Sequence, residues 1–247
     1  MFDTNDSNKS WDIVDGDLVE YNERQYKTKY RSTDFVISCL KRTVPKAKTL
    51  SFLDVGCGGG ANLGHIAKEF KNHKFHGIDI NNHFIEKAIE AHEFFDIENT
   101  TFEHVDFLKF DREKKYDIVG SSQFLEVLDM GKADVFKHLC FDVANEGVYF
   151  QALFTEKDLE YEINIFDYNY KKAVPYNIYS ISNMQKIADI HNFDLKFFKR
   201  FIIDIDLPDN HKGRGTYTIK KEGGERMMFS DVLHLPWYFL YFQKRGK

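Results

Sequence analysis

The sequence predicts a doubly wound α/β domain built on a mostly parallel sheet. Three observations carry this expectation. Between residues 50 and 153, apolar segments of strand length alternate with helical segments. The first strand runs straight into Gly56-Cys57-Gly58-Gly59-Gly60, and a helix follows at once. The first three strands each end at an acid: Asp54, Asp79 and Asp106. The chain has 247 residues, 43% of them hydrophobic. That is enough for one such domain with a full core, whereas two would be cramped.

Residues 1–45 are expected to form a polar tail followed by a helix. The first 17 residues lack the basic start and apolar stretch of a leader peptide. Residues 17–43 read as helical, with Tyr26, Tyr30, Ile37 and Leu40 on one face and Pro45 as the stop. Residues 50–55 form the first strand. Leu63, Ile66, Ala67 and Phe70 give the next helix its buried stripe. Residues 74–80 are the second strand. The helix at 83–92 turns Phe84, Ile85, Ala88 and Ile89 inward. Strands follow at 101–105, 116–121 and 147–153, with a helix at 132–142 before the last of these.

The regularity breaks after Phe154. Residues 154–180, rich in Tyr, Phe, Asn and Glu, read as an insertion over the sheet edge. Ser182 with Gln185 three residues on suggests a capping box for a helix reaching His191. Residues 193–207 read as a long strand and 235–243 as the last one. Between them, 207–235 is a second insertion, in which 216–220 alternate like a hairpin strand flanked by glycines. Residues 46–247 are thus expected to be one domain with two insertions.

Lys and Arg number 34 against 39 Asp and Glu, a net charge of −5. A generally basic surface for nucleic acid is therefore absent. No apolar run reaches the length of a membrane span. Cys39, Cys57 and Cys140 are widely spaced, without the CxxC pairing of a zinc knuckle. Reduced thiols in a cytoplasm are the expectation. His73, His76 and His83 make no triad with a third ligand, so no metal is expected.

The chemistry concentrates at the strand ends. Glycine lets the backbone turn sharply and approach a ligand, and the following helix offers unpaired N–H groups. Gly56, Gly58 and Ala61 satisfy G-x-G-x-x-G/A, whereas Gly56, Gly58 and Gly60 satisfy G-x-G-x-G. The glycines alone do not decide between these. Asp54 would repel a pyrophosphate and suits a ligand carrying an ammonium and a sulfonium. Asp79 stands at the spacing of a ribose-binding carboxylate. Asp106 and Phe107 offer an acceptor for an adenine amino group and a ring for the base.

Residues 50–153 resemble the class I S-adenosylmethionine (SAM)-dependent methyltransferases. The resemblance rests on Asp54-Val55-Gly56-Cys57-Gly58, Asp79 after strand two, Asp106 after strand three and Tyr116-Asp117-Ile118-Val119 in strand four. It implies a seven-stranded sheet with an antiparallel last strand, SAM as cofactor and S-adenosylhomocysteine as product. It also implies that Gly56, Cys57 and Gly58 hold the methionine part. Asp79, with Ile80 beside it, would bind the ribose, and Asp106 and Phe107 would frame the adenine. Ser122 and Gln123 would lie near the sulfonium. The N-terminal helix would close as a lid, bringing Tyr21 and Arg31 to the cofactor.

Residues 209–237, through Phe229-Ser230 to His234-Leu235-Pro236-Trp237, resemble methyltransferases of surface-polysaccharide and secondary-metabolite pathways. The expected acceptor is accordingly small and polar, a hydroxyl of a sugar or sugar-nucleotide-like molecule. A hydroxyl needs a base. His211, on the inserted hairpin, and Glu126, in Leu125-Glu126-Val127, are the candidates. Small-molecule relatives carry Leu-Glu-His there, so the role of that histidine does not transfer. The rival readings are an RNA or protein methyltransferase, an NAD-type oxidoreductase and a non-catalytic SAM-binding subunit. A monomer or homodimer is expected.

Overall fold

The computed structural model describes residues 24–45, 48–167, 172–209 and 216–246. Its elements run, in order, α1 (Arg31–Thr43), β1 (Ser51–Val55), α2 (Ala61–Glu69), β2 (Lys74–Asp79), α3 (Asn82–Phe94), β3 (Thr100–His104), β4 (Tyr116–Ser122), α4 (Met130–Val143) and β5 (Ala144–Thr155). They continue with β6 (Asn164–Asp167), β7 (Lys172–Pro175), β8 (Tyr179–Ser180), α5 (Ile181–Ile190), β9 (Phe193–Arg200), β10 (Thr216–Lys220), β11 (Arg226–Ser230), β12 (Leu233–His234) and β13 (Trp237–Lys244).

Seven strands line up in the order β3-β2-β1-β4-β5-β13-β9, and β8 adds to β5. The first five are parallel, and β13 runs antiparallel to both its neighbours. This is the expected seven-stranded sheet. Period-two alternation explains its two-sided core. In β1, Leu53 and Val55 pack with α4 and α5, while Phe52 packs with α1 and α2. All three cysteines are free thiols. Among the described residues, no helix is long and apolar enough to cross a membrane.

Several boundaries differ from the sequence expectation, each for a local reason. The expected helix over 17–43 is interrupted. Residues 24–27 form one helical turn, the chain extends at Tyr30, and α1 starts at Arg31. Ile89 of α3 is exposed, and His92 takes the inward position instead. The cap of α5 is Ser180, whose side chain accepts from the Asn183 amide, so the Ser182–Gln185 box is not formed. The strand expected over 193–207 stops at Arg200, where its pairing with β13 ends. The first insertion carries the β6–β7 hairpin, and the second carries the antiparallel sheet β10-β11-β12.

Candidate functional site

A cleft of about 260 Å³ opens at the carboxyl ends of β1, β2, β3 and β4. That is where open α/β sheets take ligands. Its floor is the glycine turn. Gly56, Gly58 and Gly60 all have φ between 53° and 76°, a region where an L side chain is strained. Gly56 has a second reason: a Cβ there would lie 2.5 Å from the Phe124 ring.

The turn is held from outside. The Tyr26 hydroxyl donates to the Gly59 carbonyl at 2.5 Å. His92 Nε2 donates to the Gly60 carbonyl at 3.0 Å, while its Nδ1 pairs with Thr100 Oγ1 at 2.7 Å. Burial lowers the His92 pKa to about 4, so the ring is neutral and keeps this tautomer near neutrality. The sequence reading missed His92. The signal was its place on the 84, 85, 88, 92 stripe of α3.

Asp79 ends β2 and lines the cleft. Its Oδ2 accepts from the Gly58 amide and its Oδ1 from the Asn81 amide, both at 2.9 Å. Burial pushes this carboxyl up, and the amide donors at Asn81, Gly58 and Ile80 pull it part of the way back. Ile80, Asp106, Phe107, Ser122, Gln123, Gly56, Cys57 and Gly58 line the same cleft. Asp106 spends Oδ1 on the Leu108 amide at 3.0 Å and stands 3.5 Å from Lys109 Nζ through Oδ2. The Phe107 ring is braced edge-on by Phe136. Gln123 sits at φ 58° with its amide donating to the Gln151 carbonyl at 2.8 Å. Burial and the carboxylates of Asp79 and Asp54 push the Cys57 thiol up, so it stays protonated.

Five expected site residues need correction or fall elsewhere. Asp54 does not line the cleft. It lies buried behind the turn, in register with Gly77 and Gly120, and burial with the Asp79 charge pushes its carboxyl up to about 7. Arg31 is turned away: it is exposed and pairs with Asp204 at 3.4 Å. Glu126 is 2% exposed, outside the cleft lining, with Oε2 lacking a partner among the described residues. Burial raises its carboxyl to about 8. Tyr21 and His211 lie outside the described residues. Gln25, from the N-terminal segment expected to act as a lid, lines the cleft, and so do Asn62 and Lys132, which belong to no motif.

The strand order, the glycine turn and the acid ending β2 together define the class I SAM-dependent methyltransferase fold. Residues 46–152 match the family described as "Methyltransferase domain". Release factor glutamine methyltransferase of Fusobacterium nucleatum subsp. nucleatum is 34% identical over 91 residues, 36% of this chain. The match spans only 26% of that enzyme's length. Among solved structures, magnesium protoporphyrin IX methyltransferase of Synechocystis PCC 6803 with bound SAH superposes with a TM-score of 0.64 at 14% identity, covering 98% of this chain and all of the other. The 1,6-didemethyltoxoflavin-N1-methyltransferase of Burkholderia thailandensis superposes with a TM-score of 0.58 at 10% identity, covering 94% and 87%. At such identities these structures speak to the fold.

Proposed function

We propose that this chain binds SAM and moves its methyl group to a small polar acceptor, a hydroxyl of a sugar or sugar-nucleotide-like molecule, leaving S-adenosylhomocysteine. Asp79 carries the reading. Its oxygens accept from the Gly58 and Asn81 amides, which fixes the carboxylate and leaves lone pairs able to accept again. Two vicinal ribose hydroxyls fit that arrangement. With a ribose held there, Ile80, Asp106 and Phe107 would hold the base and the glycine turn the methionine part. Asp79, which lines this edge, favours a sulfonium and opposes a pyrophosphate. That argues against an NAD-type cofactor, although Ala61 completes the dinucleotide pattern.

Methyl transfer is an in-line displacement. The acceptor oxygen forms a bond to the methyl carbon as the carbon–sulfur bond breaks, and that electron pair returns to sulfur. The enzyme's part is to align the two centres. The hydroxyl proton needs a base, for which His211 remains our candidate. Glu126 is the wrong place to look: it is buried away from the cleft and protonated near neutrality. A protein or RNA acceptor is the second reading, motivated by the release-factor enzyme. Against it, Ser121-Ser122-Gln123-Phe124 stands where relatives that methylate amino nitrogens carry Asn/Asp-Pro-Pro-Tyr/Phe, and the net charge is −5.

Calorimetry with S-adenosylhomocysteine, SAM, NAD and NADP tests the cofactor. Binding of NAD without S-adenosylhomocysteine would overturn the reading. Mass spectrometry of sugars and sugar nucleotides incubated with enzyme and SAM then tests the acceptor. Methylated protein or RNA, with no methylated sugar, favours the second reading.

A further inference from the structure

Helix α3 carries two stripes. Phe84, Ile85, Ala88 and His92 are buried. His83, Lys87, Glu90, Ala91 and Phe94 recur at helical spacing as a second stripe. These five share a groove of about 360 Å³ with Tyr26, Lys27, Gly59 and Phe95. The groove is larger than the cofactor cleft, and Phe84 lines both. Gly56, Cys57 and Gly58 line the cleft, whereas Gly59 lines the groove, so the glycine turn stands between the two spaces.

Its walls are aromatic. Tyr26 and Phe95 stack with centroids 5.6 Å apart, and Phe94 meets Phe95 edge-on at 5.0 Å. Phe94 is nonetheless 82% exposed, a ring left largely in water. Lys27 and Lys87 bring two positive charges against one carboxylate, Glu90, which stands 2.7 Å from Lys87. An apolar lining with a few charged groups is the composition of small-molecule sites. Rings with a surplus cation select a flat aromatic molecule that bears an acidic group. Tyr26 connects the groove to the turn. Its ring lines the groove, while its hydroxyl, kept protonated by burial, holds the Gly59 carbonyl. The same ring meets His92 edge-on at 5.8 Å, and His92 holds the Gly60 carbonyl.

We propose that this groove is a second ligand site, that it takes an aromatic ring carrying an acidic group, and that the glycine turn senses its occupant through Tyr26. A ligand packed on the Tyr26 ring fixes the residue whose hydroxyl shapes the turn, and so favours the form of the turn that holds the cofactor. By reciprocity, bound cofactor tightens the ligand by the same factor. The ligand is an effector and not the methyl acceptor, because the turn separates it from the cleft. The groove stands on its own lining; its coupling to the cofactor rests on the SAM reading.

Fluorescence titration of the full chain with 8-anilinonaphthalene-1-sulfonate, and with its uncharged analogue N-phenyl-1-naphthylamine, tests the site. The sulfonate is expected to bind saturably, to stay bound under saturating S-adenosylhomocysteine and to be tightened by it about fivefold. Ala91→Trp fills the groove and should weaken the sulfonate about tenfold or more, with S-adenosylhomocysteine affinity retained. Lys87→Glu should weaken the sulfonate about threefold or more and spare the uncharged analogue. Tyr26→Phe keeps the ring and loses the hydroxyl, so it should bind the sulfonate without the coupling. No binding of the sulfonate, its displacement by S-adenosylhomocysteine, equal affinity for the two dyes, or unchanged affinity in Ala91→Trp overturns the site. Coupling that is absent from the unaltered protein, or that persists in Tyr26→Phe, overturns the link through Tyr26. If Ala91→Trp does not fold, Lys87→Glu decides. If the sulfonate binds as expected and S-adenosylhomocysteine does not bind at all, the SAM reading falls and the groove stands.

Discussion

The Gly58 amide donates to Asp79 Oδ2 at 2.9 Å, tying the turn after β1 to the end of β2. The carboxylate is thereby aimed before any ligand arrives. Asp79→Ala removes the acceptors and frees the turn. The expected result is a loss of S-adenosylhomocysteine affinity well over tenfold, measured by calorimetry, because a buried carboxylate–hydroxyl pair is lost. Unchanged affinity would show that the ribose lies elsewhere.

Gly56 and Phe124 are coupled by space. Alanine at Gly56 would take a left-handed φ of 72° and drive its Cβ to 2.5 Å from the ring. The backbone strain alone costs about 1–3 kcal/mol. Gly56→Ala should therefore lower the midpoint of urea unfolding and displace Phe124 from the cleft wall. Wild-type stability together with wild-type affinity would sink the argument.

His92 makes the loop sensitive to acid. Its pKa is lowered from 6.5 to about 4 by burial, so the unfolded chain binds the proton more readily. Its contribution to stability is complete above pH 6.5 and is lost as pH falls toward 4, by at most about 1.4 kcal/mol per pH unit. His92→Gln lacks this titration. Its melting temperature should fall less steeply between pH 6.5 and 4 than that of the unaltered protein. Parallel curves would mean that the ring does not titrate with unfolding.

The sheet was legible because β1 to β5 obey simple periodicities and end at glycines or acids, which are local signals. Asp79, Asp106 and Phe107 were legible on the same ground, being strand-end residues. Arg31 was misplaced because its partner Asp204 lies 173 positions away, and no pattern links the two. Asp54 was legible as a residue but not as an orientation. The alternation along β1 turns it behind the glycine turn, where burial outweighs the ligand-facing role that its position suggested.

Glu126 gives the sharpest separation of a structural from a catalytic role. Its backbone carbonyl accepts from the Asn177 amide at 2.8 Å, and the Tyr179 hydroxyl donates to the Leu125 carbonyl at 3.2 Å. The segment after β4 is thus pinned by residues just before α5. The carboxyl is buried, and its pKa is raised from 4.5 to about 8. The folded state therefore holds a proton that the unfolded chain releases above pH 4.5. Its contribution to stability is complete below pH 4.5 and is lost as pH rises through 8, again by at most about 1.4 kcal/mol per pH unit. Glu126→Gln copies the protonated acid and does not titrate. Its melting temperature should match the unaltered protein below pH 5 and exceed it at pH 9, with kcat/KM near pH 7 retained within about threefold, since an uncharged isostere preserves the packing. A fall in kcat of a hundredfold or more in a well-folded Glu126→Gln protein would restore this residue as the base, because general acid–base groups contribute on that order.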